Sequence, residues 1–145
     1  MTDQITNNEN TQAAYFDMHT TGVAYLNRAR VVTPRQGKPF YAVTLAAMHG
    51  KSDDMQYTHI DCRVVGSEAK QYFESLKSHI DEEQAVLIGF VVGDIYPDAF
   101  IYEKGDKQGK PGASIKGRLL RIKWAKINGA NFILPNQETP LANAS

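Results

Sequence analysis

The sequence holds one cysteine, Cys62, in 145 residues. A lone thiol excludes an intramolecular disulfide and a zinc site built from cysteines. Long apolar runs are missing too. None nears the roughly 20 residues that span a bilayer. Residues 1–12 have neither a basic start nor an apolar stretch, so no secretory signal is read there and the expected compartment is the cytoplasm, with no membrane partner. Catalytic patterns are equally scarce. His19, His49, His59 and His79 are scattered, with no HxH or HExxH spacing. Neither a GxxxxGK[ST] nor a GxGxxG loop occurs. Asp53-Asp54 and Asp81-Glu82-Glu83 read as solvated charge rather than a divalent-metal site. Cys62 sits in an alternating run on the side read as inward, as a packing residue and not a nucleophile. The expectation is a protein that is not an enzyme and needs no cofactor or metal.

Net charge is also absent, with 16 Lys/Arg against 16 Asp/Glu. A zero balance argues against a nucleic-acid binder, but the distribution along the chain argues for one. Residues 1–103 carry 8 basic and 14 acidic side chains. Residues 104–126 carry another 8 basic ones (Lys104, Lys107, Lys110, Lys116, Arg118, Arg121, Lys123 and Lys126) against Asp106 alone. Half the positive charge therefore lies in a short stretch, as a local site for a polyanion requires.

What is present is the composition of a folded domain: 42% hydrophobic and 22% charged residues, in a chain long enough to bury a core. Residues 1–13 read as a flexible lead-in, 14–134 as the domain and 135–145 as a flexible tail. Most of the domain reads as strands. Residues 22–33 are rich in Val, Tyr and Leu, and Pro34 to Pro39 is a turn signal before a second strand over 40–48. Residues 50–56 read as a polar loop. From Tyr57 to Val65 apolar and polar residues alternate, with Thr58, Ile60, Cys62 and Val64 on one face and Tyr57, His59, Asp61 and Arg63 on the other. Ser67 is a candidate N-cap for a helix over 67–80, whose apolar stripe is Ala69, Tyr72, Phe73, Leu76 and Ile80.

Further strands are read over 86–92, 95–103 and 114–127. Lys104 to Gly112 is an exposed loop between the last two. Asn128-Gly129 is a hairpin turn before a short return strand over 131–134. Three strands, a helix and further strands fit an all-β fold with one helix: the OB-fold, a five-stranded Greek-key barrel, with an extended hairpin between its last strands. An α+β sheet with one covering helix is the competitor.

The strand over 114–127 interleaves Lys116, Arg118, Arg121, Lys123 and Lys126 with apolar residues around Trp124, the sole tryptophan. Binders of single strands need cations along the phosphates and flat rings for the bases. The same residues also suit a core tryptophan under an ordinary solvated face. Tyr57 and His59 share the outer face of the third strand with Arg63, and Arg28 and Arg30 share a face of the first. Lys104, Lys107 and Lys110 stand on the loop. Tyr96, Phe100 and Tyr102 fit either base stacking or an intersubunit contact.

Residues 22–47, with Pro34-Arg35-Gln36-Gly37-Lys38-Pro39 and the Leu45-Ala46 pair, resemble the opening of bacterial single-stranded DNA-binding proteins. Tyr57 to Gly66 followed by Ser67-Glu68-Ala69 is similar to their third strand and helix start. Lys116-Gly117-Arg118-Leu119, Arg121-Ile122-Lys123-Trp124 and Asn128-Gly129 resemble their GRL…RKW…G strand. The resemblance implies a base-stacking role for Trp124 and sets His59 where that family has a second stacking tryptophan. More closely, residues 22–132 resemble a family of replication-associated proteins carried on integrative and conjugative elements, through Tyr25-Leu26-Asn27-Arg28, Gly93-Asp94-Ile95-Tyr96 and Lys116-Gly117-Arg118-Leu119-Leu120. That family is regarded as divergent single-stranded DNA-binding OB-folds.

Two departures stand out. The sequence closes on Pro140-Leu141-Ala142-Asn143-Ala144-Ser145 instead of the acidic, Phe-terminated tip of the housekeeping proteins, and residues 93–113 are longer than their counterpart. The expectation is sequence-independent binding and protection of single-stranded DNA in replication or conjugative transfer of a mobile element. Trp124, Tyr57 and His59 would stack. Lys116, Arg118, Arg121, Lys123, Arg28, Arg30, Arg63, Lys104, Lys107 and Lys110 would hold phosphates. The protein would act as a homo-oligomer, a dimer or tetramer, alongside replication or conjugation proteins. The alternative is an OB-fold module that binds another protein of such a complex.

Overall fold

The computed structural model describes residues 16–135. The segment 1–13 and the tail from 136 onward, read above as flexible ends, lie outside the described residues. In chain order the elements are β1 (His19–Val32), β2 (Phe40–Lys51), β3 (Asp54–Val64), α1 (Ser67–Asp81), β4 (Val86–Ile101), β5 (Pro111–Ile127) and β6 (Ala130–Phe132). The strand order is β3-β2-β1-β4-β5-β6, and β3 also pairs with β5. That extra pairing is parallel and joins Ile60–Val64 to Ile115–Leu119. It closes β1, β2, β3, β5 and β4 into a mixed five-stranded barrel of OB-like form, the architecture expected from the strand and helix order.

Period-2 alternation makes the core. Leu26, Val43, Leu45, Ile60, Cys62, Val64, Ile88, Phe90, Val92, Leu119 and Ile122 point inward and are buried. The stripe Ala69, Tyr72, Phe73, Leu76 and Ile80 lays α1 against the same core. Tyr41 Oη donates to Glu74 at 2.7 Å and ties β2 to the helix.

Three local readings are corrected. Ser67 is not the cap: Gly66 takes that position at φ 97°, with no side-chain capping bond. A positive φ is strained for a side chain but not for glycine. The strands read separately over 86–92 and 95–103 are one continuous β4, and Gly93-Asp94 between them is a bulge, with Asp94 at φ 56°. Asp and Asn tolerate that conformation better than most residues. The bulge lets β4 leave the barrel without ending. Beyond it, β4 and β5 pair on from Tyr96–Lys116, and past Ile115, the last β5 residue with a β3 partner, they form a two-stranded arm from Asp98–Ser114 to Ile101–Pro111. Asn128 and Gly129 take φ 51° and 85°, the turn expected of that dipeptide. The loop read at 50–56 is shorter, because Asp54 to Gln56 already pair with β2.

Candidate nucleic-acid interface

The outward residues of five strands meet on one face. One cross-strand row runs from His59 on β3 through Ala46 on β2, Tyr25 on β1 and Leu87 on β4 to Lys126 on β5. At about 4.8 Å per strand step it spans about 19 Å of curved sheet. Tyr57 lies beside this row at 45% exposure, its ring 6.5 Å from that of Tyr25. Tyr25 was not singled out from the sequence. Its signal was there, since Ala24 and Leu26 are core and the residue between them must face outward.

Trp124 stands at the β5 end of the face and is 36% exposed. Its indole lies over Gly89, its partner on β4. A Cβ at position 89 would sit 2.7 Å from Cε2 and 3.0 Å from Cδ1 of that ring. Only a glycine lets the ring lie this flat on the sheet. One ring face is thus held by the barrel while part of the indole stays open, as a stacking platform requires.

The basic residues do not converge on Trp124. Lys123 and Lys126 flank it, and both are exposed. Arg121 is exposed and acts electrostatically on Tyr72 of α1. Arg118 pairs with Asp94 at the β4 bulge. Arg28 is exposed on the β1 bulge at φ 55°, and its carbonyl accepts from Arg30 Nη1 at 2.8 Å. Lys104, Lys107 and Lys110 are exposed around the tip of the arm, where Lys107 Nζ lies 5.4 Å from the centre of the Tyr102 ring. Tyr96, Phe100 and Ile101 are exposed along the arm.

Three further cations gather elsewhere, in a cleft of about 420 Å3 between β3, β5 and the root of the arm. Its lining includes Arg30, Asp61, Arg63, Lys116 and the rings of Phe40 and Tyr96. Asp61 is its hub. Oδ1 accepts from Arg30 Nη2 at 2.7 Å and from Thr44 Oγ1 at 3.0 Å. Oδ2 accepts from Lys116 Nζ at 3.3 Å, and Asp98 lies 3.8 Å from the same ammonium. Burial pushes the Asp61 carboxyl up, but the bonds from Arg30, Thr44 and Lys116 outweigh it and hold the pKa below the usual value. Arg63 stacks on Phe40, 4.1 Å from the ring centre. Arg30 and Lys116 are therefore already matched by a carboxylate. The expected phosphate ligands are spread over the Trp124 end, the cleft and the arm, not along one track.

A search of protein-family models matches residues 9–140 to the family described as protein of unknown function, DUF3577. The chain belongs to that family. Neither the curated proteins nor the solved structures give a match. Within this DUF3577 domain, Cys62 lies inside the barrel, and burial, reinforced by Asp61, pushes its thiol up to about 12. Such a thiol is not a nucleophile at neutral pH. Among the described residues no group of three or more His, Cys, Asp or Glu is placed to hold a metal ion, and no helix is long and apolar enough to cross a membrane.

Proposed function

We propose that this DUF3577 protein binds single-stranded DNA largely without regard to sequence, through the outer face that runs from Tyr57 and His59 across Tyr25 to Trp124. The observation that carries the reading is the indole of Trp124, laid flat on Gly89 and left partly open. Lys123 and Lys126 supply exposed positive charge beside Trp124, and the lysines of the arm supply more at its tip. The resemblance to proteins of integrative and conjugative elements sets the task as replication or conjugative transfer of a mobile element. One barrel offers a track of about 4–16 nucleotides, so we propose that it works as a homo-oligomer.

Trp124 is the only tryptophan, so its fluorescence reports the site directly. Oligo-dT should quench it. Trp124→Ala should weaken binding of a labelled strand by about 1–3 kcal/mol, and log Kd should rise with log salt by about 0.7 per phosphate contacted. Absence of quenching together with absence of strand retardation at low salt would sink the reading. The exposed Tyr96, Phe100 and Ile101 of the arm favour a second reading, a module for a replication or conjugation protein. A pull-down indifferent to Trp124→Ala and to single-stranded DNA would select it.

A further inference from the structure

The cleft on the seam between β3 and β5 has more chemistry than phosphate binding needs. A bare phosphate site would hold cations without a carboxylate at their centre. Here Asp61 stands between two cations, with Arg30 on one oxygen and Lys116 on the other. Oδ1 already has two short bonds, from Arg30 and Thr44, while Oδ2 has only the long one from Lys116. A carboxylate oxygen has room for more than one donor, so Oδ2 keeps an acceptor position. Lys116 has three N–H donors and Arg30 five, and each retains some to give. Across Arg30, Asp61 and Lys116 the order is donor, acceptor, donor, with Asp98 on the far side of the Lys116 ammonium. The rings of Phe40 and Tyr96 line it, and its volume suits a small planar ligand.

That order is complementary to one edge among the bases. Thymine and uracil present carbonyl, N3–H, carbonyl. Cytosine and adenine set a ring-nitrogen acceptor where the carboxylate stands and an amine beside a cation. Guanine matches at two of three positions and adds a second ring. We propose that the cleft is a subsite for a single unstacked thymine or uracil base, with Asp61 accepting from N3–H and Arg30 and Lys116 donating to the flanking carbonyls. This rests on the single-strand reading and adds one base-reading position to a face that otherwise ignores sequence. Arg63, stacked on Phe40 at the rim, is placed to meet the backbone of the inserted nucleotide.

A preference for oligo-dT over oligo-dC is not a sufficient test, because weakly stacked pyrimidine runs favour binding by themselves. The discriminating probe is a dC strand of about 12 nucleotides carrying one central thymine, or one N3-methylthymine, which keeps the ring and loses the donor. With the full-length protein, the single thymine should tighten binding by about tenfold over plain dC, and N3-methylthymine should give no gain. Asp61→Asn should abolish the thymine advantage while leaving dC binding in place. Lys116→Met should reduce the advantage, and a thermal melt of each variant checks that it is folded. Equal affinity for the thymine and N3-methylthymine strands, with dC still bound, overturns the subsite and leaves the binding face standing. Failure to bind any of the strands overturns both.

Discussion

Gly89→Ala is the sharpest probe of the platform, because it displaces the indole without removing it. The added Cβ would meet Nε1 of Trp124 first and Cε2 at 2.7 Å, so the ring must retreat by at least about 1 Å to reach ordinary contact. Such overpacking costs about 1–3 kcal/mol. Restricting the unfolded chain by replacing glycine returns about 0.4–1 kcal/mol. The net loss should be about 0.5–2 kcal/mol, a fall in Tm of roughly 2–6 °C for a domain of this size. The lifted ring should emit further to the red and be quenched more readily by acrylamide. In a Trp124→Ala background the obstacle is gone, and Gly89→Ala should become neutral or slightly stabilising. A loss as large in that background as in the native chain would show that the ring is not what position 89 accommodates. Unchanged emission, quenching and Tm in the single variant would refute the geometry itself.

Two further outcomes follow from the interior and the cleft. Cys62, buried and with its thiol pushed up to about 12, should resist a disulfide reagent at pH 8 in the native protein and give one reactive thiol per chain in denaturant; fast native labelling would mean that β3 faces the other way. Asp61 is held below the ordinary carboxylate value in the fold, so its contribution to stability is complete above about pH 4 and is lost as pH falls through the depressed value. Denaturant melts across that range should show a shallower acid loss in Asp61→Asn than in the native chain, and identical slopes would contradict the role given to Arg30 and Thr44.

The features legible in the sequence are those with a local signal. The alternation of Thr58 to Val64 reports which side of β3 is core, the stripe of α1 reports its buried face, and Asn128-Gly129 reports its turn. The rest was hidden for physical reasons. Gly66 replaces Ser67 as cap because the chain turns there through a positive φ, which glycine accepts from any neighbour. Gly93-Asp94 looks like a terminator and acts as a bulge, since the strand ladder resumes on its far side. The pairing of cations was least readable. Asp61 lies 31 residues from Arg30 and 55 from Lys116, and only barrel closure brings the three together. Counting charges along residues 104–126 finds the basic strand but not the carboxylates that wait for it on β3 and β4.

The parallel seam of β3 and β5 joins only five residue pairs, the shortest ladder in the closed barrel. It unites stretches of chain separated by the helix and the whole of β4, so its closure entropy is spent before any of its bonds are made. The Asp61–Lys116 bond lies across that line, between paired residues. The cleft is therefore a clasp as well as a recess: a molecule held by both sides at once resists the opening of the barrel at its weakest join, and its occupancy will register as added thermal stability by mass action alone.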